Sequence, residues 1–206
     1  MPMNDVLPYR TMAYNNAWSN HRLLKACVRL SQEEFVARRT SFFPSIKATL
    51  NHILTVDWYY LEALERSLAG LPPHANPGRH FDPEEPFATC AEVVREQRAA
   101  DDRLIGLCAP LEDADLDQPV GIARRKGLVI DRAGRILAHL FQHDIHHRGQ
   151  VHAMLSGTSV KPPQLDEFFC TEEAHLRADD FAELGFTEAA IWGERANAPG
   201  ADGEPR

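Results

Sequence analysis

The chain has 206 residues, with 22 Lys and Arg against 30 Asp and Glu, a formal net charge of −8 when its ten histidines are neutral. Hydrophobic residues at 44% and charged residues at 25% are the proportions of a globular protein that can bury a core, which excludes wholesale disorder. The acidic balance argues against nucleic acid as a partner, because phosphate neutralisation needs clustered cations and the tightest cluster here is Arg124, Arg125 and Lys126.

The N-terminal segment MPMNDVLPYR has no basic stretch followed by an apolar run, and no uninterrupted apolar run approaches the roughly 18 residues of a membrane span. Cys27, Cys90, Cys108 and Cys170 form no C-x-x-C pair, so they read as free thiols in a reducing cytoplasm. The expectation is a cytoplasmic protein that neither crosses nor associates with a membrane.

Helical periodicity dominates. A first helix is expected from about Leu7 to Leu30, and the Ser31/Glu34 capping box starts a short helical turn. Pro44 and Ser45 open a second long helix that runs to about Ala69 and stops at Gly70 before Pro72 and Pro73. Residues 70–87, rich in proline and glycine, read as a long crossover loop. A second capping box, Thr89 with Glu92, opens a third helix ended by Pro110. VGIARRKGLVI then predicts a β-hairpin turning at Arg124–Gly127. The fourth helix runs to Ser156, with Asp131 as N-cap and Gly157 as a left-handed stop.

The predicted fold is all-α: a four-helix bundle over residues 1–157 with one long crossover and a small hairpin before the fourth helix. A short helical extension, residues 158–195, is expected to pack on it through Phe168, Phe169, Phe181, Phe186 and Trp192. Residues 196–206 read as a disordered tail.

The fourth helix concentrates histidines: His139, His143, His146, His147 and His152 lie within AHLFQHDIHHRGQVH. Imidazoles four residues apart share a helical face and can converge on one ion. On a helical wheel set to zero at His139, the apolar arc spans about 60–160°, with His143 and His147 at about 40° and 80°. The wheel therefore favours 143/147 as the inward pair and leaves His152 on the surface. Two core-facing imidazoles on adjacent turns are costly unless something polar sits between them, and a divalent cation serves both. A third ligand should come from another helix, and the second helix offers His52, off the main apolar stripe but flanked by Thr49, Val56 and Tyr59. Asp57 falls within that stripe and needs a partner: it either orients a ligand imidazole or pairs with an arginine such as Arg22 or Arg148. Asp144, four residues before Arg148, reads as half of a helix ion pair. Tyr59, Tyr60, His139, His146 and Gln150 are candidates to line the site.

The segments S-I-K-A-T-L-N-H-I-L at 45–54 and H-D-I-H-H-R-G-Q at 143–150 resemble the DinB-like family of damage-inducible, metal-dependent proteins, over about residues 5–157, with the tail after Gly157 outside the family core. The resemblance implies a three-histidine site, hence His52, His143 and His147, holding one divalent ion such as Zn, Ni or Fe in a four-helix bundle, often as a homodimer and in a stress response. In characterised relatives it implies transfer of a low-molecular-weight thiol to a small electrophile. Metal-assisted hydrolysis and a non-catalytic metal-binding role are the alternatives, since no general base stands out. A fourth protein ligand, His139 or His146, would favour the non-catalytic role, and an open position would favour an enzyme. A di-iron carboxylate bundle is excluded, because its paired Glu-x-x-His motifs are missing from the long helices.

Overall fold

The computed structural model describes residues 5–124 and 126–193. Four long helices form the body: α1 (Leu7–Cys27), α3 (Ile46–Leu68), α4 (Cys90–Cys108) and α5 (Ala133–Leu155), with a short α2 (Gln32–Val36) between the first two. The helices sit in a ring in which α1 touches α4 and α5, and α3 touches the same two. No described helix is long and apolar enough to cross a membrane.

Both expected capping boxes form. Ser31 and Glu34 start α2, and Thr89 and Glu92 start α4, each pair satisfying backbone N–H groups that a helix start leaves open. Ser45 Oγ accepts from Ala48 N at 3.0 Å and caps α3. Gly70 closes that helix with φ 69°. The other end signals differ from expectation. Asp131 is not the N-cap of α5; that position is Arg132, and Asp131 instead accepts from the Arg132 amide at 2.9 Å and pairs with Arg135 at 3.3 Å. Gly157 is not left-handed, because Ser156 ends α5 in a right-handed conformation and the Thr158 amide turns back to the Leu155 carbonyl at 2.9 Å.

The hairpin forms as predicted, with β1 (Pro119–Arg124) antiparallel to β2 (Gly127–Arg132) and Ile122 opposite Val129. Val120 and Ile122 are buried and β1 lies on α3. Gly127, at φ 120°, supplies the turn geometry that a side chain would disfavour. The basic cluster's Arg125 and the tail residues 196–206 lie outside the described residues.

Residues 158–165 remain with the bundle: Val160 joins its apolar core and His152 Nε2 contacts the Pro163 carbonyl at 2.8 Å. His152 thus ties down the chain beyond α5 and is more than a surface residue. A second compact unit begins at Asp166 and contains α6 (Ala174–Leu184) and α7 (Glu188–Trp192). Within it, Phe168 is buried against Phe169, Phe181 and Trp192, and the buried Arg177 guanidinium donates to both Glu188 oxygens and to the Glu167 and Cys170 carbonyls.

The bundle core comes in two apolar clusters separated by a polar layer. One cluster holds Leu54, Tyr60, Leu61, Leu104, Leu137, Leu140 and Phe141; the other holds Leu23, Leu50, Ile53, Val93, Val151 and Leu155. Between them in each helix lie buried polar residues: Asn16 and Asn20 on α1, Asp57 on α3, Gln97 and Asp101 on α4, and Asp144 and Arg148 on α5. The site forms on α3 and α5 at the level of this layer.

Candidate metal centre

His52 on α3 meets His143 and His147 on successive turns of α5. The ring centroids are 5.0 Å (52–143), 4.7 Å (52–147) and 4.5 Å (143–147) apart. One nitrogen from each ring lies within 4.8 Å of the other two, a group that could hold a metal ion. His147 is buried, and His52 and His143 are half-buried.

Burial, then the neighbouring imidazoles, pushes His52 down to about 4, and burial, then His139 and His146, does the same to His143. His147 is also lowered, chiefly by burial, with its bond to Gln150 opposing. All three rings are therefore neutral at pH 7, the form that offers a lone pair to a metal.

Contacts on the far side of two rings orient those lone pairs. His147 Nδ1 donates to Gln150 Oε1 at 2.9 Å, since an amide oxygen can only accept, and Gln150 Nε2 donates to His146 Nε2, also at 2.9 Å. His143 Nδ1 faces Asp144 Oδ1 at 3.3 Å. With Nδ1 carrying the proton, each ring turns a bare Nε2 inward, the arrangement by which carboxylates and amides hold ligating histidines. His52 Nε2 lies 3.0 Å from His143 Nε2. Two nitrogens on one tetrahedral ion with bonds of about 2.0 Å stand about 3.3 Å apart, so the donor set fits a divalent cation.

Asp144 belongs to the polar layer as well. Burial raises its carboxyl, with Arg148 opposing, and burial followed by Asp144 itself raises Asp57 strongly. The two carboxyls form a coupled pair that shares a proton, and Asp57 Oδ1 and Asp144 Oδ2 are the oxygens of the pair that find no other donor. Gln97 Nε2 donates to the other Asp57 oxygen at 2.6 Å. Asp101 is pushed up to about 8 by burial and by Asp57, while accepting from Asn20 at 2.8 Å and Asn16 at 3.2 Å. Arg148 donates to Asn16 and Asn20. Arg148 lowers the carboxyl of Asp144 as it does those of Asp57 and Asp101, so one guanidinium faces three buried acids.

The candidate residues separate by distance from the imidazoles. Gln150 touches His147 and His146 touches Gln150. His139 stands one turn before His143, with ring centroids 6.4 Å apart. Among the described residues neither His139 nor His146 joins the ligand group. Asp57 lies one step further back, behind Asp144, and Tyr59 turns to the hairpin, its hydroxyl donating to the Ala123 carbonyl at 2.5 Å. Tyr60, its neighbour, packs on His139 at 5.3 Å.

Two residues at the site had no sequence signal. Phe43, in the loop between α2 and α3, lies 4.3 Å from His52 and 5.4 Å from His147, and Phe42, 78% exposed, lies 6.2 Å from His147. Arg39 fastens this loop, its amide donating to the Pro44 carbonyl at 2.8 Å and its guanidinium to Glu34 and Ala37 carbonyls. Asp144 did carry a signal, since the wheel puts it at about 140°, inside the apolar arc; its i,i+4 spacing to Arg148 suggested a simple helix ion pair instead.

A family profile described as the DinB family matches residues 3–180. The match passes Gly157 and extends into the second unit, so the family resemblance covers more than the bundle. A DinB-like protein from Bacillus cereus ATCC 10987 has a similar fold, with a TM-score of 0.55 and 15% identity over 73% of this chain and 91% of that one. None of the curated proteins matches the sequence.

Proposed function

The chain belongs to the DinB family, and from that premise we propose that it is a divalent-metal enzyme activating a small thiol for transfer to a small electrophile. One observation carries the reading: three neutral imidazoles converge while two have one nitrogen engaged by Asp144 and Gln150. A divalent ion such as Zn, Ni or Fe there would supply Lewis acidity that lowers the pKa of a thiol in its open position.

The chain's own residues do the rest. Asp144 and Gln150 hold the ring tautomers, the Asp57–Arg148 layer holds Asp144, and Phe43 covers one side of the imidazoles and limits water access. A three-histidine set leaves coordination positions open, which favours chemistry over a purely structural ion.

The test is thiol consumption with 1-chloro-2,4-dinitrobenzene as electrophile, using zinc-loaded and EDTA-stripped protein. Zinc-dependent acceleration over the uncatalysed reaction is expected. Metal-dependent turnover of esters by water alone, with no thiol requirement, would assign the site to hydrolysis.

A further inference from the structure

Arg124 closes β1 and lies across α3, its guanidinium carbon 5.6 Å from the Tyr59 ring centroid and 5.5 Å from that of Tyr60. Its Nη2 donates to Tyr60 Oη at 2.7 Å. Arg79, Arg103, Arg132, Arg135 and Arg177 each pair with a carboxylate. Arg124 pairs with none among the described residues; its partners are two tyrosines. Aromatic faces attract a cation and fix its plane without cancelling its charge. A tyrosine hydroxyl that accepts from a guanidinium also keeps its own proton to donate. The pair therefore presents a fixed N–H fork beside a free O–H, a two-point match for a carboxylate.

The position adjoins the metal centre. The buried Tyr60 ring meets His139 edge to face at 5.3 Å, and His139 is 6.4 Å from His143. Tyr60 and His52 are eight residues apart on α3, about 12 Å along its axis.

We infer that Arg124 and Tyr60 form a carboxylate subsite, so that the electrophile is an elongated organic acid anchored at the hairpin with its reactive end at the imidazoles. The inference rests on the reading of the three histidines as a metal centre. It assigns the hairpin a task in substrate selection: an acid gains a charge-assisted bidentate contact that its neutral analogue lacks. His139, exposed and packed on Tyr60, stands between the two ends.

The experiment compares 4-phenylbutyrate with its primary amide by titration calorimetry on the zinc-loaded full chain. The acid should bind at least tenfold more tightly. The preference should disappear in Arg124→Gln, with zinc content and thermal midpoint unchanged, and return in part in Arg124→Lys. Equal affinities in the parent protein, or an acid preference that survives in Arg124→Gln, would overturn the subsite. A preference that follows zinc and not Arg124 would also overturn it, by placing the carboxylate on the ion, while leaving the metal reading intact. If no zinc binds, the metal reading fails by itself; an Arg124-dependent acid preference in the metal-free chain would then keep the subsite, and its absence would overturn that too.

Discussion

His143 and His147 are sequence neighbours of Asp144 and Arg148, yet the two pairs solve opposite problems. Asp144 and Arg148 are buried among groups from the other three helices that satisfy them: Asn16 and Asn20, Asp57, and the nearby Asp101. His143 and His147 have their outer nitrogens engaged by Asp144 and Gln150, and their inner sides face His52 and each other, His143 Nε2 lying 3.0 Å from His52 Nε2. A polar layer that closes on itself specifies how four helices align. Imidazoles from two helices that converge on one point form a group that could hold a metal ion.

Breaking the layer should have the largest effect. Arg148→Ala removes the cation that faces Asp144, Asp57 and Asp101 and is expected to cost about 3–5 kcal/mol in urea unfolding. The cost should be greater at pH 8 than at pH 6, because the carboxyls left behind need protons.

Gln150→Ala acts on the other side of the comparison. It frees His147 Nδ1 and should weaken zinc binding roughly 10–100-fold in a chelator competition, with a small change in unfolding free energy. A large stability loss with unchanged affinity would show that Gln150 belongs to the fold and not to the site.

pH separates the two regions further. Asp101, raised to about 8 from an ordinary 3.8, keeps in the folded chain a proton that the unfolded chain releases, so stability falls as pH rises from about 4 to 8. His52 and His143, lowered to about 4 from 6.5, refuse protons that the unfolded chain binds, so the metal-free protein loses stability as pH falls from 6.5 to 4. Between pH 6.5 and 8 the carboxyl slope dominates, shared by Asp101 with Asp57 and Asp144. Asp101→Asn should make it shallower, as read from thermal midpoints in that window.

The smallest effect is a control. Ser45→Ala removes the cap of α3, the helix that carries His52, and should cost about 1 kcal/mol while zinc content stays unchanged.

The long helices were legible because their ends are written in short-range chemistry: Ser31 with Glu34, Thr89 with Glu92, and Gly70. So was the histidine trio, since i,i+4 spacing in α5 offers the pairs 139/143 and 143/147, the apolar arc of the wheel favours the second, and α3 offers one partner. What could not be read depends on contacts between distant segments. The wheel places both Asp57 and Asp144 inside apolar arcs but cannot show that they share a proton, a contact between α3 and α5. Phe43 comes to His52 through a loop whose path is set by Arg39 and Pro44. Arg124 looked like one of a basic cluster until the hairpin register laid it over Tyr59 and Tyr60.

The most direct test is metal content of protein purified without an affinity tag. About one divalent ion per chain is expected, lost in His143→Ala and in His147→Ala while circular dichroism shows the helices intact. Full stoichiometry in either variant, or none in the parent protein after incubation with zinc, would contradict a metal centre at these three histidines.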